Sequence, residues 1–223
     1  MTASDYRLTA RTALKGKWGA FILTYLVMYL ILSFCSGLPC IGLVALIFIQ
    51  GPMVMGYHTS ALKVMRGIDP DLNDLFASFK NMATPIILQI VNGLFIFLWS
   101  LLLIIPGIIK YYSYSMSFFV LNDNPQMTAS EARAESMLIM KGYKWRLFCL
   151  DLSFIGWFLL SIPTCFVLMF WVVPYNTAAR AAFYESIKTP LLIDAINESE
   201  AHSEDEWQPN ADADTKGSSD FHN

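Results

Sequence analysis

Three apolar stretches of the chain are each interrupted by a proline near the middle, and this feature constrains the fold most. The interruptions lie at Gly37-Leu38-Pro39, Pro106-Gly107 and Ile162-Pro163. Lysine and arginine are nearly absent from these points and collect at the opposite ends of the same stretches. Proline ends or kinks a helix, and basic flanks mark the cytoplasmic side of a membrane segment. The pattern therefore predicts three transmembrane helical hairpins whose tips face outward.

The composition agrees with a membrane protein. Hydrophobic residues make up 55% of the chain and charged residues 15%, whereas about 25% of the residues in a soluble domain are charged. Residues 189–223 hold nine of the 18 acids and one base, a net charge of -8, so the total of -3 leaves +5 for residues 1–188. We therefore expect a basic body at an anionic membrane surface and a disordered acidic tail over residues 189–223.

The three hairpins divide into six helical segments. Several are short against the ~20 residues that a spanning helix needs, and the fourth is half polar. Six spans nevertheless place 14 of the 15 bases on the inner side, with Lys110 as the exception. The sequence thus predicts an all-α membrane domain over residues 18–188, with both termini in the cytoplasm. The predicted segments are 18–34, 41–65, 85–105, 107–121, 147–161 and 164–184.

An amphipathic segment precedes the first hairpin. Within residues 1–17, Tyr6, Ala10 and Leu14 share one helical stripe, and basic residues occupy the neighbouring stripe. This pattern predicts a short helix lying in the inner membrane interface. The alternative is an ordinary lead-in whose basic residues only set orientation.

Two inner connections also carry helix signals. Asp71 is placed to cap a helix whose apolar stripe faces the membrane. Thr128-Ala129-Ser130-Glu131 is a capping-box pattern for a second helix, which should end near Gly142. We expect interfacial helices that join the hairpins. The stripe after Asp71 comprises Leu72, Leu75, Phe76 and Phe79.

The lead-ins to two hairpins resemble one another. The first is Leu14-Lys15-Gly16-Lys17-Trp18, and the third is Met140-Lys141-Gly142-Tyr143-Lys144-Trp145. This similarity indicates an internal repeat of hairpins in one orientation, unlike the inverted repeats of many transporters. Shared interface chemistry is the alternative explanation.

Polar groups within the predicted spans are the candidate functional residues, because each is costly in a membrane and normally faces a bundle interior. Asp151 and Arg180 lie at similar depths from the inner ends of the fifth and sixth segments. The sequence therefore predicts an ion pair, which either fixes two helices or belongs to an internal site. Asn92 and His58 complete the candidate intramembrane polar site, with ordinary hydrogen bonding between helices as the alternative.

Lys110 lies on the outer side, four residues after Pro106. It is a candidate contact for an anionic lipid headgroup. The alternative is that its side chain extends to the outer headgroups without a specific ligand.

The sequence carries no motif of an enzyme. It has no zinc-protease, nucleophile-elbow, phosphate-loop or dinucleotide-binding pattern. The four cysteines lack the paired spacing of a zinc site. We therefore predict no catalytic residue, no metal site and no cofactor. Small apolar packing is the expected use of the cysteines, with a disulfide between Cys35 and Cys40 as the alternative.

Four segments together resemble the bacterial membrane-protein family catalogued as domain of unknown function 975. They contain Leu103-Ile104-Ile105-Pro106-Gly107, Leu121-Asn122-Asp123-Asn124-Pro125, Met140-Lys141-Gly142-Tyr143-Lys144-Trp145 and Leu150-Asp151-Leu152. The likeness covers about residues 5–188. More distantly, it is similar to the membrane domain attached to some glycerophosphodiester phosphodiesterases. The resemblance implies a multi-pass bacterial plasma-membrane protein whose biochemical role is not established.

Two function classes remain. The favoured one is a non-enzymatic scaffold, regulatory or lipid-associated subunit, in contact with membrane lipids and able to bind a protein through its acidic tail. The alternative is a small-solute or lipid transporter that uses Asp151, Arg180, Asn92 and His58 as one intramembrane site. This second class requires those side chains to face one cavity. Nothing in the sequence indicates nucleic acid as a partner.

Overall fold

The computed structural model describes residues 2–37, 41–164 and 167–206, and it contains α-helices and one 3₁₀ turn but no strand within those ranges. The all-α class is therefore confirmed. The helices are α1 (Ala3–Ala13), α2 (Trp18–Ser36), α3 (Ile41–Met65), α4 (Asn73–Ala77), α5 (Ala83–Leu102), α6 (Ile104–Tyr114), α7 (Ser117–Asp123), α8 (Ala129–Ile139), α9 (Lys144–Ser161) and α10 (Met169–Glu206), with the 3₁₀ turn at Ser78–Asn81.

Four of the helices follow the predicted segments closely. The sixth segment was predicted at 164–184, whereas α10 runs over Met169–Glu206. The second segment coincides with α3, whereas the fourth is divided between α6 and α7. At the division, the hydroxyls of Ser115 and Ser117 donate to the carbonyls of Tyr112 and Tyr114 at 2.8 and 2.7 Å. Such back-bonding competes with the helical ladder. The prediction of one continuous fourth helix was therefore wrong.

The middle hairpin turns at Leu103, whose backbone is extended between α5 and α6. Pro106 lies in the first turn of α6, where a missing N–H costs little. Gly107 lets the two helices approach, because a Cβ there would lie 2.9 Å from the Cα of Ser100. Pro39, at the first predicted tip, lies outside the described residues.

Buried side chains collect toward the basic ends of the hairpins, and the apolar residues at the turn of the middle hairpin are exposed. The core includes Phe119, Phe154 and Tyr184, each at most 1% exposed. At the middle tip, by contrast, every residue from 101 to 105 is at least 64% exposed, although all five are leucine or isoleucine. The described residues thus include a packed helical core, whereas the middle tip leaves large apolar side chains exposed.

Two of the described helices, α2 and α5, are long and apolar enough to cross a membrane. In each helix, only 17% of the most apolar 18-residue stretch is buried within the protein. The core helix of a soluble protein would be mostly buried instead, so this open apolar surface favours membrane association.

The first and third hairpins begin with the same local structure, displaced by 126 residues. Helices α1 and α8 each have 11 residues and are each followed by a four-residue turn, in which Gly16 and Gly142 have φ of 80° and 86°. Positive φ is readily adopted by glycine and rarely by other residues. The next helices, α2 and α9, then begin at Trp18 and Lys144.

The repeat extends into the core of the body. The first arm of each hairpin buries three positions near its start, with spacings of three and four residues, which is one helical face; α9 buries Ser161 as well. These positions are Phe21, Thr24 and Met28 in α2, Pro85, Leu88 and Asn92 in α5, and Leu147, Leu150 and Phe154 in α9. The likeness of the lead-ins therefore reflects repeated structure as well as shared interface chemistry.

Helix α1 packs against protein with the stripe that we expected to lie in the membrane interface. Tyr6, Ala10 and Leu14 are buried, and the ring of Tyr6 meets that of Phe183 edge to face at 5.2 Å. The predicted helix is thus present over Ala3–Ala13, but its apolar stripe belongs to the core of the body. An amphipathic pattern predicts a covered face without specifying what covers it.

The two connections between hairpins form as short helices. Asp71 accepts a hydrogen bond from the N–H of Asn73 at 3.3 Å, ahead of α4, but Leu75 is fully buried rather than facing a membrane. For α8, the N–H of Thr128 donates to the carboxylate of Glu131 at 2.7 Å, so the predicted capping box is confirmed.

The acidic tail differs from its prediction over part of its length. Helix α10 continues through residues 189–206, where leucine, isoleucine, alanine and glutamate favour helix. The prediction of disorder was therefore wrong for that segment, and residues 207–223 lie outside the described residues. The chain divides into a compact unit that ends at Ser186 and a second unit that begins at Ile187.

Candidate functional site

The strongest polar site within the hairpins joins Asp151 on α9 to Arg180 on α10. Arg180 donates from Nη2 to Oδ2 of Asp151 at 2.6 Å and from Nε to Oδ1 at 3.1 Å. This two-point geometry is the strong form of an arginine–carboxylate bond. The side chain of Arg180 is 22% exposed and that of Asp151 is 19% exposed. The ion pair predicted from charge and depth is therefore present.

Three further side chains complete the network around this pair. Asn176 donates from Nδ2 to Oδ1 of Asp151 at 3.3 Å, and the Tyr112 hydroxyl donates to Oδ2 at 3.2 Å. Arg180 donates to the hydroxyl of Tyr111 at 3.3 Å. Both oxygens of Asp151 are thus occupied by donors from α6 and α10. The network ties three helices together and holds the carboxylate in one orientation.

A groove of about 270 Å³ opens beside this network. Asp151, Arg180 and Asn176 line its polar side, and its remaining wall is largely apolar. The apolar wall comprises Phe148, Leu152, Ile155 and Phe158. The groove can accept a small polar group against Arg180. Among the residues that the structure describes, its lining holds no cysteine, serine or histidine that could act as a nucleophile or base.

The other two members of the predicted polar site lie outside this network. His58 hydrogen-bonds through Nδ1 to the carbonyl of Val54 at 2.7 Å. Its ring contacts Phe119 edge to face, with the centroids 4.5 Å apart. Asn92 is buried on α5. The structure therefore unites Asp151 with Arg180 but joins neither His58 nor Asn92 to their hydrogen-bond network.

Lys110 lies between two aromatic rings on the middle hairpin. Its Nζ is 5.2 Å from the ring centroid of Trp99 and 5.9 Å from that of Tyr114. These are cation–π distances. Its part in binding a lipid headgroup stays a prediction.

A second charged cluster lies where the C-terminal end of α3 meets α7 and α10. Arg66 meets Asp123 at 2.6 Å and Glu185 at 2.7 Å, and the Tyr184 hydroxyl donates to Asp123 at 2.9 Å. Burial alone would lower the pKa of Arg66, but the two carboxylates outweigh it and raise the pKa above its usual value. The cluster ties the C-terminal ends of α3 and α7 to the middle of α10.

The sequence did not predict two of the partners in these clusters, namely Asn176 beside Asp151 and Asp123 beside Arg66. Asn176 and Arg180 have i, i+4 spacing, which places them on one helix face. That spacing could have assigned Asn176 to the ion pair. Asp123 lies within the Leu121-Asn122-Asp123-Asn124-Pro125 motif. No local signal joined that motif to Arg66, which is 57 residues away along the chain.

Comparison with known families agrees with the resemblance found in the sequence. The family described as "Protein of unknown function (DUF975)" matches residues 1–111 and 101–190. The chain belongs to this family. Within the DUF975 match lie the Asp151–Arg180 pair and the Arg66 cluster. No curated protein and no solved structure matches the chain.

Proposed function

We propose that this DUF975 protein is a multi-pass plasma-membrane protein with a non-enzymatic scaffold, regulatory or lipid-associated function. In this proposal, six spanning segments form three hairpins, and both termini lie in the cytoplasm. The observation that carries it is the exposed apolar tip at residues 101–105. Five consecutive large apolar side chains at such exposure are unfavourable in water but favourable in lipid.

The distribution of charge supports the proposed orientation. The ion pairs of Arg66 with Asp123, Lys63 with Asp74 and Lys17 with Asp69 join residues at the ends of the hairpins remote from the tips. Basic residues near membrane segments favour the cytoplasmic side. These ends would therefore lie at the inner surface.

The Asp151–Arg180 network supports a scaffold more than a transport pathway. A residue that binds a transported ion must exchange its hydrogen bonds for contacts with that ion. Asp151 accepts four hydrogen bonds from three neighbouring side chains, and all four would have to be weakened or broken. A satisfied polar network of this kind rigidifies the helices that it joins. The open groove beside Arg180 keeps transport of a small anion as the second candidate.

Cysteine labelling tests the proposed topology. In full-length protein whose four native cysteines are replaced by alanine, single variants would be made at exposed tip residues and at exposed inner residues. We expect S36C, L103C and T164C to react with a membrane-impermeant maleimide in intact cells. We expect N81C and Q126C to react only after permeabilisation. The reverse pattern, or equal labelling of both sets, would refute the six-span orientation.

A further inference from the structure

A groove of about 540 Å³ lies between α1, α2, α9 and α10, apart from the Asp151 network. Arg7 and Arg11, one helical turn apart on α1, line one side of it. Apolar and aromatic residues form the rest of the wall. These include Trp18, Trp157, Leu168, Trp171 and Val172. Two cations and a tryptophan-rich wall thus face the same space.

The two arginines have no acidic partner in the described part of the chain. The salt bridges found there involve other bases, namely Lys17, Lys63, Arg66 and Arg180. Arg7 is nevertheless fixed through its backbone, because the Tyr175 hydroxyl donates to its carbonyl at 3.0 Å. This bond anchors the backbone of α1 beside the groove, and among the described residues neither guanidinium has an acidic partner.

The apolar wall is ordered but still open. The rings of Trp18 and Trp171 stack with their centroids 5.2 Å apart. Trp157 is 46% exposed and Trp171 is 54% exposed. Tryptophan favours the boundary between headgroups and acyl chains. A ligand that covers these rings would place an apolar segment against them.

The repeat supplies a second, independent observation. Ser130 and Arg133 lie 126 residues after Ser4 and Arg7, at the equivalent positions of the repeat. They also line a groove, which has a volume of about 300 Å³. Helix α1 packs against α9, and α8 packs against α5, so each lead-in helix lies beside the first arm of another hairpin. An arginine facing a groove at this position is therefore a repeated feature of the fold.

From these observations we propose that the groove beside α1 binds one anionic phospholipid of the inner leaflet. Arg7 and Arg11 would hold the phosphate, through the bidentate hydrogen bonds that guanidinium makes to phosphate oxygens. An acyl chain would lie along Trp18, Trp157 and Trp171. This proposal rests on the proposed membrane location and names the lipid class for the lipid-associated function.

Fluorescence quenching by brominated lipids tests the proposal. Of the six tryptophans, Trp99 and Trp145 lie outside the groove lining, and Trp207 lies outside the described residues. Replacing them with phenylalanine in the full-length chain leaves only groove tryptophans as reporters. The protein would be reconstituted in phosphatidylcholine vesicles that contain brominated phosphatidylglycerol or brominated phosphatidylcholine at equal mole fraction. We expect the brominated phosphatidylglycerol to quench more strongly.

The arginine variant and its matched control decide the outcome. We expect R7Q/R11Q to lower the relative affinity for phosphatidylglycerol by about fivefold for each arginine. K15Q/K141Q removes the same charge from exposed residues outside the groove and should retain the preference. No preference in the parent protein, or equal loss in both variants, would overturn the lipid site. Failure of the parent protein to float with vesicles would instead overturn the membrane location.

Discussion

Substitution of Asp151 by asparagine should destabilise the protein more than substitution of an exposed acid. The D151N change would place an amide where Arg180, Asn176 and Tyr112 now donate to a carboxylate. Arg180 would then lose its counter-ion while it is 22% exposed. Removing one partner of a buried ion pair costs about 3–5 kcal/mol, and the partial exposure favours the lower end, about 3 kcal/mol.

Thermal unfolding of purified protein in detergent measures this cost. For a chain of this size, 1 kcal/mol shifts Tm by about 2–4 °C, so D151N should lower Tm by about 6–12 °C. The matched control is D69N, because Asp69 pairs with Lys17 but is 85% exposed. Exposed pairs contribute about 0–1 kcal/mol, so D69N should lower Tm by less than about 4 °C.

A double substitution separates the ion pair from other effects at the same site. D151L/R180M removes both charges together, and apolar replacement of a buried pair is often neutral or stabilising. The double variant should therefore recover most of the Tm that D151N loses. If the D151L and R180M effects are additive within about 0.5 kcal/mol, the two side chains are not coupled. That result would refute the reasoning from the ion pair.

Two further predictions concern packing and pH. G107A should destabilise the middle hairpin by about 1–3 kcal/mol, because its Cβ would lie 2.9 Å from the Cα of Ser100. G156A, which has nothing within 4 Å of its Cβ, should leave Tm unchanged or raised. The Thr128 N–H lowers the pKa of Glu131 below its usual 4.5. Because the folded pKa is the lower one, this stabilisation is present above about pH 4.5 and is lost as pH falls through the folded value. In E131Q, Tm should no longer fall at acidic pH through this group. If Tm plotted against pH is the same for E131Q and the parent protein, the prediction is contradicted.

Local signals in the sequence predicted the local structure well. Residues 41–65 form the predicted helix, and Thr128 with Glu131 caps α8 as predicted. Both depend on interactions within a few residues. The division of the fourth segment was not predictable in this way, because α7 is held by burial within the body. Phe119, for example, stacks on Tyr184 with ring centroids 5.4 Å apart.

Depth and rotation explain why only part of the candidate site was predictable. Counting residues from the ends of a segment gives the depth of a side chain, at about 1.5 Å for each residue. Depth sufficed to pair Asp151 with Arg180. It does not determine which way a side chain points around the helix axis, so it could not separate His58 and Asn92 from that pair. The same limit applies to Tyr6, whose stripe meets Phe183 rather than lipid.

The repeat indicates where residues with individual functions should be sought. Positions that maintain the fold recur in all three hairpins, as Phe21, Pro85 and Leu147 do. The positions equivalent to Asp151 are Tyr25 and Gln89, neither of which is an acid. The ion pair therefore belongs to the third hairpin alone and is not required by the repeated packing. Arg7 differs, since Arg133 recurs at the equivalent position beside a second groove. The guanidinium of Arg133 also lies over the ring of Phe95, 4.6 Å from its centroid, so the repeat retains an arginine on the lead-in helix while its contacts differ between the two grooves.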